Sequence, residues 1–233
     1  TFGIYSPTAL AQYNIPFPVM NLGLGVERLA MILHDATDIR SLTYPQIAQY
    51  SDWEMSDNEL AKMTYVENVP VTDQGKEIAK AITAVCEEYA ATPSPCAFPA
   101  WKGTINGRMV NVSVVEPEKN TKLCGPAVFN EIVAYNSDIM GIPDNKKWKD
   151  VLENHSARTG VRFLDAFAAQ AAKEIEDAVV KGEKEVETRV RIVKVPSEIN
   201  IRLEPLAQRY ITSNKKKIDI RGPVFTTVRT TIG

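Results

Sequence analysis

Gly23-Leu24-Gly25-Val26-Glu27-Arg28-Leu29-Ala30-Met31-Ile32 joins an apolar stretch to a helix-like one through two glycines one residue apart. Before it, Val19-Met20-Asn21-Leu22-Gly23 reads as a short buried strand. After it, Val26 to about His34 carries Leu29, Ala30, Ile32 and Leu33 at helical spacing. Strand, glycine turn and helix are therefore the predicted local order. Glycines in such a turn let a flat base or a phosphate chain approach the backbone closely. Arg28 falls in the first helical turn, beside unpaired N–H groups and the positive end of the helix dipole. A guanidinium held there suits a phosphate, which it grips bidentately. The alternative is a plain glycine turn leading into a core helix with an exposed Arg. The run is not a dinucleotide fingerprint, which would need Gly at Arg28, and it has no GK[ST] phosphate loop.

Downstream, Ser56 to about Met63 and Asp73 to about Ala91 are predicted helices. The second is capped by Asp73 and places Ile78, Ala81, Ile82 and Val85 on one face. Ala91-Thr92-Pro93-Ser94-Pro95 is the clearest linker, and beyond it the apolar period changes to two. Ile105-Asn106-Gly107-Arg108 predicts a type I′ hairpin, followed by a half-buried strand through Val110, Val112 and Val114. Short strands are expected over 132–135 and 139–142, and a long Ala-rich helix over 163–180 ends at Lys181-Gly182. Residues 186–195, 199–203 and 224–232 read as further strands.

The 233 residues are 44% hydrophobic and 24% charged, which suits a folded soluble domain and excludes disordered, collagen-like and disulfide-scaffold classes. No apolar run approaches the ~18 residues of a transmembrane helix. The first residues lack a signal-peptide pattern and the chain opens in mid-pattern, so a piece of a longer protein is expected. Cys86, Cys96 and Cys124 have no metal-ligand spacing, which predicts reduced thiols in a cytoplasmic protein and no metal centre. His34 and His155 stand apart with no oriented partner, and no catalytic triad or HExxH pattern occurs. Residues 186–233 hold ten Lys or Arg against four Asp or Glu, whereas residues 1–185 hold 17 against 25. A basic end on an acidic body favours a docked polyanion, and a solvated basic face is the alternative.

The 23–32 run resembles the third signature motif of class II aminoacyl-tRNA synthetases, apolar-Gly-apolar-Gly-apolar-x-Arg before an apolar helix. Asp38-Ile39-Arg40 is similar to the phenylalanyl-tRNA synthetase α-chain branch of that class. A closer resemblance spans the whole chain. Thr1-Phe2-Gly3-Ile4-Tyr5-Ser6-Pro7, the glycine motif, Asp38-Ile39-Arg40-Ser41 and Glu116-Pro117-Glu118-Lys119-Asn120-Thr121-Lys122 resemble the O-phosphoseryl-tRNA synthetase family of archaea. The resemblance implies an α+β fold. A C-terminal remnant of the antiparallel-sheet catalytic domain (1–91) would precede a mixed α/β anticodon-binding region (96–233).

It further implies ATP-dependent attachment of O-phosphoserine to cysteine tRNA by way of an adenylate, with no covalent protein nucleophile. Arg28 would take the γ-phosphate of ATP, with Gly23, Gly25 and Glu27 at the nucleotide. Glu27 would serve Mg²⁺, or else pair with a neighbouring Arg. Asn21 and Thr1 would contact phosphoserine, although Asn21 also suits a structural turn. Glu116, Glu118 and Thr121 would contact anticodon bases and Phe225 would stack on one. A carboxylate accepts from the exocyclic amine of cytosine, and unpaired RNA bases stack on aromatics. A surface acidic pair and a core Phe are the alternative. The family also implies a homotetramer, and a partner enzyme that converts phosphoseryl-tRNA to cysteinyl-tRNA. Only 22 residues precede Gly23, too few for the first two class II motifs, so the isolated chain is expected to be inactive. A phenylalanyl-type fragment, or a non-catalytic tRNA-binding or assembly module, is the competing expectation.

Overall fold

A computed structural model describes residues 2–23, 25–35, 39 and 54–233. Thr1, Leu24, Asp38, Arg40 and Ser41 of the motifs above lie outside these. The chain forms two compact units, Thr1–Ile47 and Ala48–Gly233. The expected boundary at 91–96 therefore falls within the second unit.

In the first unit, β1 (Phe2–Ile4) pairs antiparallel with β2 (Met20–Leu22), and Gly3 lies opposite Asn21. Between them α1 (Pro7–Ala11) starts on Ser6, whose hydroxyl accepts from the Thr8 N–H, with Pro7 in the first turn. α2 (Val26–His34) follows β2 through the glycine turn, as the 23–32 run predicts. None of its residues is buried, and Val26, Leu29, Ile32 and Leu33 all face solvent.

The second unit is an α+β assembly. α3 (Asp57–Lys62) begins with a capping box, Ser56 and Glu59 each satisfying the other's backbone N–H. β3 (Thr64–Val66) leads to α4 (Asp73–Tyr89). Thr72, not Asp73, caps α4: its hydroxyl accepts from the Gly75 N–H at 2.9 Å. Thr72 takes that place because Glu176 reaches in from a second helix and accepts from its N–H and hydroxyl at 2.8 and 2.6 Å.

β4 (Cys96–Ile105) and β5 (Arg108–Glu116) form the predicted hairpin, with Asn106 at φ +49° and Gly107 at +79°. β6 (Glu131–Tyr135), β7 (Asp138–Ile142) and β8 (Ala157–Arg162) come next, then α5 (Phe163–Lys181), which ends on left-handed Gly182. β9 (Glu185–Val193), β10 (Ile201–Leu203), α6 (Pro205–Ser213), β11 (Ile218–Asp219) and β12 (Gly222–Ile232) complete the chain.

Two four-stranded sheets result, β4-β5-β12-β9 and β11-β7-β6-β8, beside a β10-β3 pair. The first sheet is antiparallel throughout, and α4 and α5 pack together on it. Ile78 and Ile82 of α4 and Phe163, Phe167 and Ile175 of α5 are fully buried in this core. The thiols of Cys86 and Cys124 touch there, and that contact together with burial holds the Cys86 thiol far above its ordinary range. Both cysteines are free and buried.

Candidate functional site

Two groups of predicted residues can be followed in the structure. In the first unit, Gly25 caps α2 and accepts from the Arg28 N–H at 3.0 Å. A Cβ placed on Gly25 would touch the Arg28 side chain, its nearest neighbour Cδ at 3.8 Å, so this glycine keeps the backbone beside the guanidinium stem bare. Arg28 stands in the first turn and is exposed, as are Glu27, Gly23 and Asn21. Asn21 lies mid-strand in β2 and does not close a turn. The arrangement suits an anionic phosphate: a cation at a helix N-terminus beside an open glycine backbone. Glu27 is the carboxylate the motif offers a cation, and no grouping of three His, Cys, Asp or Glu able to hold a metal occurs among the described residues. One carboxylate with nucleotide phosphates is how Mg²⁺ is usually held, so the motif fits a nucleotide-borne Mg²⁺ better than a resident metal.

The second group gathers at one end of the β4-β5-β12-β9 sheet. β5 ends at Glu116, whose carboxylate is 0% exposed. Its Oε1 accepts from the Glu118 N–H at 2.9 Å and its Oε2 from Arg191 at 2.5 Å. The exposed Glu118 carboxylate accepts from both Arg191 and Arg189. These arginines belong to β9, which β12 separates from β5. The contact spans two strand spacings, about 10 Å, which the long Arg and Glu side chains bridge over the middle strand.

The middle strand carries a bulge at this point. Pro223 pairs with Ile192 and Thr226 with Val190, so Val224 and Phe225 together oppose Arg191. Phe225 takes the extra position at φ +46°. Bulges commonly re-aim a side chain in this way. The Arg191 guanidinium lies 4.7 Å from the centre of the Phe225 ring.

The loop after β5 closes over this bulge. The Gly125 N–H donates to the Val224 carbonyl at 2.6 Å. A Cβ on Gly125 would stand 2.4 Å from the Pro223 oxygen and 2.8 Å from the Phe225 ring, so only glycine fits. Thr121 in the same loop is tied to Ser94, hydroxyl to hydroxyl at 2.9 Å. Within the sheet, Thr227 pairs with Val115 on one side and Arg189 on the other, and its hydroxyl is buried without a partner. The charge on Glu116 and, before it, burial raise the nearby Cys96 thiol.

The structure thus brings Glu116, Glu118 and Phe225 together, with Thr121 on the adjoining loop. Both carboxylates are paired with arginine, and Glu116 has no solvent contact, which sets it apart from a surface acidic pair. The sequence pattern alone does not single out Arg189 and Arg191. The available signal was Arg189-Val190-Arg191, two arginines two apart in a strand, matching two carboxylates two apart at 116 and 118. The cluster offers an aromatic face, guanidinium donors and carboxylate acceptors at one sheet end. Those are the groups that stack and hydrogen-bond unpaired bases.

Comparison with known proteins first gives the class. Residues 1–53 match the class II core domain (F) of tRNA synthetases, the segment that holds Arg28. Residues 130–161 match the O-phosphoseryl-tRNA synthetase C-terminal domain. The particular relatives are named O-phosphoserine–tRNA(Cys) ligase. The chain is 68% identical over its full length to the one from Methanococcoides burtonii, of which it covers 43%. It is 68% identical over 98% of its length to that of Methanosarcina mazei, of which it covers 42%. The Archaeoglobus fulgidus protein is 50% identical over the full chain, which again covers 43% of it. The chain is therefore related along its whole length to the O-phosphoserine–tRNA(Cys) ligases, and it spans less than half the length of these relatives. No helix among the described residues is long and apolar enough to cross a membrane.

Proposed function

We propose that this chain is part of an ATP-dependent ligase joining O-phosphoserine to cysteine tRNA, and that its second unit reads the anticodon. The observation that carries the second half is the bulge in β12, which sets Phe225 and Arg191 face to face beside Glu116 and Glu118. On docking, a base stacks on the Phe225 ring. The carboxylates and guanidiniums exchange part of their mutual pairing for base edges and phosphate. Glu118, exposed, is the carboxylate free to turn first. Glu116 holds Arg191 in place from beneath, while Thr121 shapes the loop through Ser94.

In the first unit Arg28 grips the γ-phosphate of ATP, Gly23 and Gly25 give the nucleotide room, and Glu27 serves its Mg²⁺. The bound cation adds charge neutralisation at the phosphates. Asn21, and Thr1 outside the described residues, face phosphoserine. The exposed apolar residues of β1, β2 and α2 are covered when the rest of the ligase is present. A homotetramer and a complex with the converting enzyme belong to the same proposal, as does a cytoplasmic location.

The test is equilibrium binding of this chain to cysteine tRNA and to the same tRNA with its anticodon exchanged. Wild type is expected to prefer the native anticodon by tenfold or more. Phe225→Ala should weaken binding by about 1–3 kcal/mol, the worth of one base–aromatic stack. Equal affinity for both tRNAs contradicts the proposal.

A further inference from the structure

Beyond the base-reading cluster, the structure carries a groove that nothing above uses. It lies among the turn after β9, β10, the first turns of α6 and β11, and it encloses about 400 Å³. Lys194, Ser197, Arg202 and Gln208 form its polar flanks, while Val195, Ile201, Leu203 and Ile218 contribute apolar surface. A groove of polar flanks and apolar floor is the form of an organic ligand site, unlike an ordinary solvated face.

Its walls are fixed. The Glu198 carboxylate accepts from the Lys194 N–H at 2.6 Å and the Val195 N–H at 3.3 Å. Pro196 opens the single 3₁₀ turn of residues 196–199. The Arg202 Nε donates to Glu67 at 2.7 Å, which orients the guanidinium and leaves its two terminal nitrogens unspent.

Charge over this region is one-sided. Residues 189–221 contain nine Lys or Arg and three Asp or Glu. Asp219 is paired to Arg221 and Glu198 is committed to backbone N–H groups, while Arg189, Arg191 and Arg202 pair with Glu118, Glu116 and Glu67, so the excess rests on Lys194, Arg209, Lys215, Lys216 and Lys217. Lys217, directly before groove residue Ile218, donates its own N–H to Asp138 and is exposed, as are Lys215 and Lys216. The groove is also continuous with the base-reading cluster along the chain. Lys194 follows Arg191 by three residues, about 10 Å of extended strand.

We infer that the groove flanked by Lys194 and Arg202 holds the sugar–phosphate backbone of RNA whose bases reach the Phe225 cluster. The apolar floor meets ribose faces, and Lys194 with the free Arg202 nitrogens meets successive phosphates. This rests on the reading of the second unit as a tRNA binder and adds where its backbone runs.

The test is a salt titration of cysteine tRNA binding by the chain and by Lys194→Gln/Arg202→Gln. Each phosphate contact contributes about 0.7–0.9 to the slope of log K against log salt. The double variant should therefore lose between one and two from that slope. Affinity should fall tenfold or more at low salt, and the preference for the native anticodon should be unchanged. Lys181→Gln, at the far end of α5, should leave the slope as it is. An unchanged slope in the double variant, with anticodon preference intact, overturns the groove and leaves the base-reading proposal standing. So does an equal loss from Lys181→Gln. Loss of anticodon preference without loss of slope reassigns the groove to base contact and also overturns it. If wild type does not bind tRNA, both proposals fall.

Discussion

At the scale of the residue, Glu116 and Phe225 carry the account. Glu116 is a fully buried carboxylate whose countercharge is 25% exposed Arg191. Removing one partner of such a pair leaves the other uncompensated, and this costs more than the pair itself contributes. Arg191→Ala should lower unfolding free energy by about 2–3 kcal/mol, toward the low end for buried pairs because Arg191 retains solvent contact. A shift in the urea midpoint at unchanged slope reads this directly, and a change below about 0.5 kcal/mol refutes it. Phe225 sits at φ +46°, where a side chain costs roughly 1 kcal/mol that glycine does not. Phe225→Gly should therefore be the more stable of the pair Phe225→Gly and Phe225→Ala, although both lose the ring and with it tRNA affinity. Stability following the opposite order would show that the left-handed backbone at Phe225 carries no such cost. Neither feature was legible in the sequence. Phe225 could be named as an aromatic but not placed in a bulge, because a bulge is set by the register of two neighbours.

At the scale of the element, local pattern was a good guide where caps and period decide the outcome. Asn106-Gly107 made the hairpin, Gly182 ended the long helix, and Val26–His34 is helical to the residue. The pattern failed where a distant group intervenes. Asp73 looked like the α4 cap, but Glu176 of α5 accepts from the Val71 and Thr72 N–H groups and shifts the cap back by one. Pro205 reads as a breaker in isolation, so the pattern gives no sign of α6, whereas as the first helical residue it is favourable. The Glu176 contact has a testable consequence at Gly75. A Cβ there would lie 2.1 Å from Glu176 Oε1 and 2.7 Å from Pro70 Cβ. Gly75→Ala gains about 1 kcal/mol of helix propensity but displaces a buried, hydrogen-bonded carboxylate. Net destabilisation of about 1–2 kcal/mol is expected by chemical denaturation, and a stabilised variant would show that the carboxylate moves aside freely.

At the scale of the whole molecule, the charge split and the two units were legible in different degrees. The basic end could be counted from the sequence, but which cations line a groove depends on β9, β10 and β11 meeting in space. Pro93 and Pro95 mark a tight turn from α4 into β4, and α4 packs on the sheet that follows. The first unit exposes Phe2, Ile4, Met20, Leu22, Ile32 and Leu33, each more than half exposed, and large exposed apolar patches mark interaction surfaces. The chain should accordingly self-associate with rising concentration in sedimentation velocity, and Ile32→Lys/Leu33→Lys should abolish this. Persistence of the association in that variant would place the contact elsewhere. The most direct test of base reading is optical. With 2-aminopurine placed in turn at each anticodon position of cysteine tRNA, wild type should quench one position on binding, and Phe225→Leu should bind without that quench. No response at any anticodon position, or the same response from Phe225→Leu, would contradict the assignment of this sheet end to the anticodon.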